Sequence, residues 1–388
     1  MKPKKVLFIT HSSGLNGSER SLYTLVKGLK QNNKIIPIVI LPRKGPLLQE
    51  VEVLDIEAHI LPNFYWFSAK KSYLRRILRI LFNFLIVPVL CIKVMKISPS
   101  LIYTNSLATP VGAFVSIVLK IPHIWHVREF VAEDFDSCYD LSHKVSMRIV
   151  EKSSVQIICN SKAVKNKLEP FIEKSESLKV IYNGFDFETE EYTQPAEKFK
   201  NCLNNRKDVE ILIIGLISKG KGLEDAIRAL AVLIGKGISV KLSIVGTGLQ
   251  QDLKYFKLLS EELKILKKIN FHGFVNDVTP YYKKATISLI CSRCEAFGRT
   301  AVESLASGTP VIGTNSGGLP EIVKDRVTGL LYEPCDYKSL ADKIETLISN
   351  KELYLKYAVA GQLYVLEEFN AERYVLEIQN TIETIIGR

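Results

Sequence analysis

The stretch Thr286–Val323 reads TISLICSRCEAFGRTAVESLASGTPVIGTNSGGLPEIV, and its apolar runs broken by glycine turns decide the fold. Thr286–Cys291 is apolar and β-branched, as a buried strand is. The loop SRCEAFG follows. Arg299–Ser307 carries Val302, Leu305 and Ala306 at helical spacing, and Gly308 and Pro310 end that helix. Val311–Gly313 is the next strand and Ser316-Gly317-Gly318 the next turn. Glu295 therefore falls in the loop, and Glu303 about two turns away along the helix. The helix N-terminus at Gly298-Arg299-Thr300 presents backbone N–H groups and a positive dipole end, suited to an anion.

Outward from this unit the same grammar repeats. Strands are expected at Val6–Thr10, Ile35–Leu41, Ala58–Leu61, Leu101–Thr104, Pro122–Val127, Val155–Cys159 and Lys179–Gly184. In the second half they fall at Glu210–Ile214, Val240–Val245 and Ile269–Gly273. Helices lie between them, among them one after Ser18, Pro46–Leu54, Leu107–Leu119, Leu223–Leu233 and Gln250–Lys267. Lys338–Ser349, Lys351–Glu368 and Asn370–Ile386 close the chain. Alternation of this kind gives parallel sheets with right-handed crossovers. The polar, aperiodic stretch Glu188–Asp208 reads as a linker. The expected domains are residues 1–187, joined by a last helix at about 370–388, and residues 209–369. Both are α/β, Rossmann-like, doubly wound parallel sheets. Ligands of such sheets bind beyond the C-terminal ends of the strands.

The 388 residues are enough for two cores, and 47% hydrophobic with 24% charged residues is the balance of a folded soluble chain. A net charge of +11 favours an anionic partner: nucleic acid, a membrane surface or a small substrate. There is no Lys/Arg-rich tail or aromatic RNA-binding motif, so nucleic acid is set aside. Seven cysteines, an odd number scattered in apolar runs, suit reduced thiols in a cytoplasmic protein. The start, MKPKKVLFIT, has too short an apolar run for a signal peptide and reads as the first strand. The stretch FYWFSAKKSYLRRILRILFNFLIVPVLCIKVMK combines aromatics at Phe64–Phe67, the cations Lys70, Lys71, Arg75, Arg76 and Arg79, and an apolar core Ile80–Ile92. That core is too short to span a bilayer. Two readings stand: a pair of helices packed on the sheet, or a basic helix lying on an anionic membrane. The second is favoured, which places the protein at the inner face of a cell membrane.

Several strand ends carry groups suited to ligands. The loop after the first strand holds Gly14 and Gly17, which let backbone approach a phosphate or sugar. A later strand ends at Asn105-Ser106. Another ends in Trp125-His126-Val127-Arg128-Glu129, where His126 is placed to donate a hydrogen bond. His123 and His126 have no third ligand at metal spacing. The loop Gly215–Gly222, GLISKGKG, sets Ser218, Lys219 and Lys221 beside glycine backbone, suited to a diphosphate, although it lacks the Walker A order. Phe274 follows the strand Ile269–Gly273.

The pattern Glu295-x7-Glu303, with Phe297-Gly298, then Gly308-x-Pro310-Val311-Ile312, then Gly317-Gly318-x-x-Glu321, resembles the nucleotide-sugar-binding region of retaining glycosyltransferases of family 4. That resemblance implies the GT-B fold, two Rossmann-like domains facing across a cleft. It implies transfer of a hexose or N-acetylhexosamine from a UDP- or GDP-sugar to a hydroxyl of a glycan or lipid-linked acceptor. In the family the first glutamate contacts the transferred sugar and the second the ribose, which here are Glu295 and Glu303. The diphosphate falls to Ser218, Lys219, Lys221, Arg299 and Thr300, with Gly17 facing it from the other domain and Phe274 near the base. His126 matches the histidine that contacts the sugar, while Asn105, Arg128 and Glu129 are on the acceptor side. Leu216 stands where the family has an arginine, with Lys219 or Arg299 to compensate. No cofactor and no metal are expected, since cations and amides take a metal's place. The setting implied is bacterial surface-polysaccharide synthesis. A nucleotide-sugar epimerase or phosphorylase on the same fold, and a non-catalytic sugar- or membrane-binding module, are the alternatives.

Overall fold

A computed structural model describes residues 3–63, 65–69, 73–131, 137–187 and 209–387. Phe64, Lys70, Lys71 and the linker 188–208 lie outside the described residues. The chain divides into two units, Met1–Asp186 with Phe369–Arg388, and Phe187–Glu368.

In the first unit β1 (Lys4–Thr10), β2 (Ile35–Leu41), β3 (Glu57–Ile60), β5 (Leu101–Asn105), β6 (His123–Val127), β8 (Gln156–Cys159) and β9 (Leu178–Val180) form one sheet. Its order is β3-β2-β1-β5-β6-β8-β9, and every pairing is parallel. Alternate residues of β1 serve opposite faces. Val6 and Phe8 pack with Leu22 and Leu25 of α1 (Gly17–Asn32) and with Ile378 and Ile382 of α14 (Ala371–Ile386). Leu7 and Ile9 pack with Leu90 and Val94 of α3 (Tyr73–Ile97) and with Val111 and Val115 of α4 (Val111–Leu119). Burial on both faces is why these strands read as unbroken apolar runs. The smaller helices α2 (Pro46–Val53), α5 (His143–Ser153) and α6 (Lys162–Leu168) complete the unit.

Two features depart from the sequence reading. Neither a helix pair nor a 13-residue apolar core occurs: α3 is one helix of 25 residues that carries Pro88 inside it. By length and composition alone Leu74–Ile97 is long and apolar enough to cross a membrane, and only 28% of its most apolar window is buried. Val87, Leu90, Cys91, Val94 and Ile97 form the stripe docked on the sheet, and Asn83 is buried on it too. Leu78, Leu81, Leu85, Val89 and Ile92 point away and are exposed. A proline removes one backbone donor and need not end a helix held by such a stripe.

The second departure concerns the aromatic run, of which Trp66 and Phe67 turn inward while Tyr65 is exposed. Trp66 stacks on Trp125 and donates its indole N–H to the Leu107 carbonyl, and Phe67 packs on Tyr139. That region holds the antiparallel pair β4 (Phe67–Ala69) and β7 (Ser137–Tyr139), too short to leave a period in the sequence. Arg79 clamps the wholly buried Asp140 carboxylate with two donors, and Arg76 donates to the Asp140 carbonyl at 2.8 Å, fixing α3 to this pair.

In the second unit β10 (Val209–Ile214), β11 (Val240–Val245), β12 (Ile269–Gly273), β13 (Ile287–Ile290), β14 (Val311–Thr314) and β15 (Gly329–Tyr332) form a parallel sheet. The order is β12-β11-β10-β13-β14-β15. One core joins it to α7 (Leu223–Gly235), α12 (Tyr337–Ser349) and α13 (Lys351–Glu368). α8 (Gln250–Glu262) is shorter than the expected Gln250–Lys267, because Lys264 takes a left-handed conformation with φ 58°. The short helices α9 (Thr279–Lys284), α10 (Arg299–Ala306) and α11 (Leu319–Ile322) follow strands β12, β13 and β14. The strand order reverses beside β1 in the first sheet and beside β10 in the second, so each sheet has a crevice beyond those strands' C-terminal ends.

Candidate active site: strand-end constellations in both units

In the second unit the loops after β10 and β13 meet at the switch point. Gly222 has φ 63°, and a Cβ there would lie 1.8 Å from the Cys291 carbonyl oxygen, so only glycine lets the two loops share this seam. Arg293 N–H donates to the Gly220 carbonyl at 2.8 Å, and the Arg293 guanidinium grips Asp225 of α7 at 2.5 and 2.9 Å. These contacts bring Lys221 to Glu295, Nζ to Oε2 at 2.8 Å. The Glu295 backbone is held from the other side. Gly318 N–H donates to its carbonyl at 2.6 Å, and a Cβ on Gly317 would lie 2.2 Å from that oxygen. The two glycines of the Gly-Gly turn thus fix where the Glu295 side chain starts.

The α10 N-terminus stands beside this pair. Gly298, at φ 105°, is its N-cap, and Arg299 and Thr300 begin its first turn. Arg299 pairs with Glu303 one turn on at 3.3 Å, and Tyr282 OH donates to the other Glu303 oxygen at 3.2 Å. The remaining sequence candidates are placed differently. Lys219 lies over the Tyr255 ring, 4.9 Å from its centroid, and does not join Lys221. Ser218 caps the single 3₁₀ turn that carries both lysines. Phe297 is buried beneath the loop, whereas the Phe274 ring is exposed after β12. Leu216, where an arginine was expected, is exposed.

In the first unit the ends of β1, β5, β6 and β8 form a buried polar network. Arg128 is its hub: it donates to Asn105 Oδ1 at 2.7 Å, to His126 Nδ1 at 3.1 Å, to Tyr374 OH at 2.8 Å, and to Asn183 Oδ1. Expected as an acceptor contact, Arg128 instead spends its guanidinium on side chains of β5, β6, α14 and the segment after β9. Asn105 is engaged on both sides, since its amide also donates to the Ser18 carbonyl at 3.2 Å. Glu129 accepts from Ser106 Oγ at 2.6 Å and from the Arg128 N–H at 3.1 Å. It keeps a sliver of exposed surface, yet protein surrounds it closely enough that burial pushes its carboxyl up.

Arginine donates and never accepts, so His126 Nδ1 is an acceptor and the ring proton sits on Nε2. That Nε2 is buried and has no partner among the described residues. Burial first, and then the Arg128 charge, hold His126 well below its usual pKa, so it is a neutral donor across ordinary pH. Close to the same strand ends, Glu19 of α1 is fully buried, takes Ser18 Oγ at 2.7 Å and His11 Nε2 at 3.5 Å, and leaves Oε2 unpartnered. His11 Nδ1 and Asn160 Oδ1 are likewise buried and unsatisfied. Polar atoms left in this state are costly unless a ligand or water completes them. Gly17 opens α1 next to this group. Sequence reading missed His11, Asn183 and Tyr374. His11 follows β1 directly and was available to a strand-end rule, whereas Tyr374 is 246 residues from Arg128 and left no local signal. His123 is structural, with Thr104 Oγ1 at 2.8 Å and Ser154 Oγ at 3.4 Å. One Asp-x-Asp triplet, Asp134-Phe135-Asp136, falls outside the described residues.

Burial lowers His123 to about 3, and burial with the Arg128 charge holds His126 well below its usual value. Below pH ~6.5 the unfolded chain takes up protons that these two rings refuse when folded, so their contribution is full above that pH and is lost as pH falls. Two such sites give a slope of about 2.7 kcal/mol per pH unit. Glu129, raised by burial, opposes it at the acid end. In urea denaturation between pH 6 and 5, His123→Gln is expected to lower the slope by about 1.4 kcal/mol per pH unit, one site's share. An unchanged slope would show that His123 is not held neutral.

Comparison with known proteins identifies the family. Residues 194–363 match the family model of glycosyl transferases group 1, and residues 15–189 match that of glycosyltransferase family 4. An uncharacterised glycosyltransferase of Methanocaldococcus jannaschii is 32% identical over 270 residues, 64% of this chain and 68% of that protein. The capsular polysaccharide biosynthesis glycosyltransferase CapM of Staphylococcus aureus is 24% identical across 87% of this chain and 88% of its own. Among solved structures, Anabaena HepE in complex with UDP-glucose superposes with a TM-score of 0.79 at 23% identity, covering 98% of this chain and all of that one. With both halves matched and the two-sheet architecture shared, the chain belongs to the group 1, family 4 glycosyltransferases and has the GT-B fold.

Proposed function

We propose that this glycosyltransferase moves a hexose or N-acetylhexosamine, with retention at the anomeric carbon, from a UDP- or GDP-sugar to a hydroxyl of a glycan or lipid-linked acceptor. The observation that carries the reading is the seam where Lys221 meets Glu295 beside the α10 N-terminus. HepE, a structural neighbour, has been solved with UDP-glucose, and CapM, a relative, belongs to capsular polysaccharide synthesis.

The barrier lies in breaking the anomeric C–O bond while negative charge grows on the departing diphosphate. Lys221 and the α10 amides at Arg299 and Thr300 meet that charge more strongly in the transition state than in the ground state. Arg299 adds a second cation at the α10 N-terminus, making up for the charge that Leu216 does not supply. Glu303 takes the ribose hydroxyls, and its anchors Arg299 and Tyr282 hold its rotamer. Glu295 orients the sugar, and binding a diphosphate draws Lys221 from it. His126 donates Nε2–H to a sugar hydroxyl, and Glu19 and Glu129 serve the acceptor hydroxyls. The acceptor attacks on the leaving-group side, and its proton passes to the departing phosphate. No metal takes part, because the cationic seam supplies the charge.

Wild-type protein is expected to transfer or hydrolyse one of a panel of UDP- and GDP-sugars in the presence of EDTA. Glu295→Ala is expected to lower the rate at least ~100-fold at unchanged Tm. Equal rates in the two proteins would leave the non-catalytic alternative standing, and loss of activity in EDTA would refute the metal-free reading.

The exposed apolar face of α3, with Arg75 exposed near its start, supports a second element: docking on the anionic inner face of a membrane. The double variant Leu81→Asp/Leu85→Asp is expected to lose co-sedimentation with phosphatidylglycerol vesicles that the wild type shows. Equal sedimentation of both would remove α3 from this role.

A further inference from the structure

We infer that a cavity of about 350 Å³ in the first unit, walled by Leu107, Met147, Val164 and Leu168 and bordered by Arg76 and Lys167, takes the alkyl chain of an anionic lipid-linked acceptor. Its phosphate lies against the two cations. This rests on the acceptor half of the proposed function and gives it a chemical class.

The walls are apolar and deeply set: Leu107, Met147 and Val164 are each at most 1% exposed. The cavity is half open rather than sealed, so a chain can enter it from the surface. Its volume lies at the lower end of small-molecule sites. The polar groups sort by position. Arg76 and Lys167 bring positive charge, and Lys167 is exposed. Glu129 lines the cavity as well and reaches the strand-end constellation, where Ser106 holds it at 2.6 Å. A lipid whose chain occupies the cavity therefore has its polar end within the first unit's candidate site region.

Arg76 ties the cavity to α3. It stands on α3, whose outward Leu78, Leu81 and Leu85 form the exposed apolar face, and it lines the cavity. Its hydrogen bonds to the Tyr139 and Asp140 carbonyls fix its side chain on β7 and the turn after it, so this cation is placed before any ligand arrives. By helical spacing Arg76 lies on the docked side of α3 with Asn83 and Val87, about half a turn around from Leu78, Leu81 and Leu85. An amphiphile with a single anionic head and a flexible apolar tail matches an apolar cavity bordered by two cations. A free sugar or a bare phosphate matches only part of it.

The test uses the full chain and n-alkyl phosphates from butyl to decyl, titrated calorimetrically below their micellar concentrations, with inorganic phosphate and decanol as controls. Affinity is expected to rise roughly fourfold per methylene until the cavity is filled. Inorganic phosphate should bind at least ~100-fold more weakly than decyl phosphate. Met147→Trp should flatten the series, and Val164→Phe, a smaller intrusion, should shorten it. Lys167→Glu should weaken every alkyl phosphate by roughly fivefold while leaving decanol unchanged. A UDP-induced rise in Tm in each variant reports an intact second unit, so the cavity can fail while the nucleotide-sugar reading stands. Chain-length dependence that survives both cavity variants, or that vanishes only in Leu81→Asp/Leu85→Asp, would overturn the inference. Binding of inorganic phosphate as tight as decyl phosphate would do the same.

Discussion

Two loops cannot share one seam unless one of them lacks a side chain at the crossing. Gly222 against the Cys291 carbonyl is that crossing, and the geometry of the second unit depends on it. Because β10 and β13 are neighbours at the switch point, their C-terminal loops are forced together, and glycine lets them close. From this follow the Arg293–Asp225 grip, the approach of Lys221 to Glu295, and the placing of α10 directly behind them. The Gly317-Gly318 turn repeats the device on the opposite side, where backbone meets the Glu295 backbone. A carboxylate and a lysine are therefore held in register by main chain, which side-chain thermal motion does not loosen.

The first unit solves a related problem with a buried cation. Arg128 binds four side chains drawn from four segments, among them Tyr374 on the helix that returns from the end of the chain. Its cost in desolvation is offset by charge-assisted hydrogen bonds. The chemical consequence lies one residue pair away. With Nδ1 committed to Arg128, His126 can only donate through Nε2, and burial keeps it from acquiring a charge that would change that role. Unpartnered atoms of Glu19, His11 and Asn160 at neighbouring strand ends give the same surface the character of a site awaiting hydroxyl groups.

Much of this was legible in the chain. Strand and helix limits lie within a few residues of the sequence reading, as at Ile35–Leu41, Val240–Val245 and Lys351–Glu368, because both sheet faces are buried and the apolar runs are long. The resemblance implied Glu295 at the sugar and Lys221 at the diphosphate; that the two side chains pair directly was not read from the sequence. What escaped had no local period. The β4–β7 pair has three residues a side, α3 hid its continuity behind Asn83 and Pro88, and the Arg128–Tyr374 bond joins distant segments. The roles given to Lys219 by its glycine loop and to Arg128 by the resemblance also did not foresee where those side chains go, because Tyr255 and the strand-end network hold them.

The central claim is that the seam at Lys221 grips a diphosphate ester. A crystal structure of the protein with UDP tests it most directly. The account predicts diphosphate density within hydrogen-bond reach of Lys221 Nζ and the α10 N-terminal amides, with the ribose on Glu303. An unoccupied seam at saturating UDP, or a diphosphate bound elsewhere on the second unit, would contradict it.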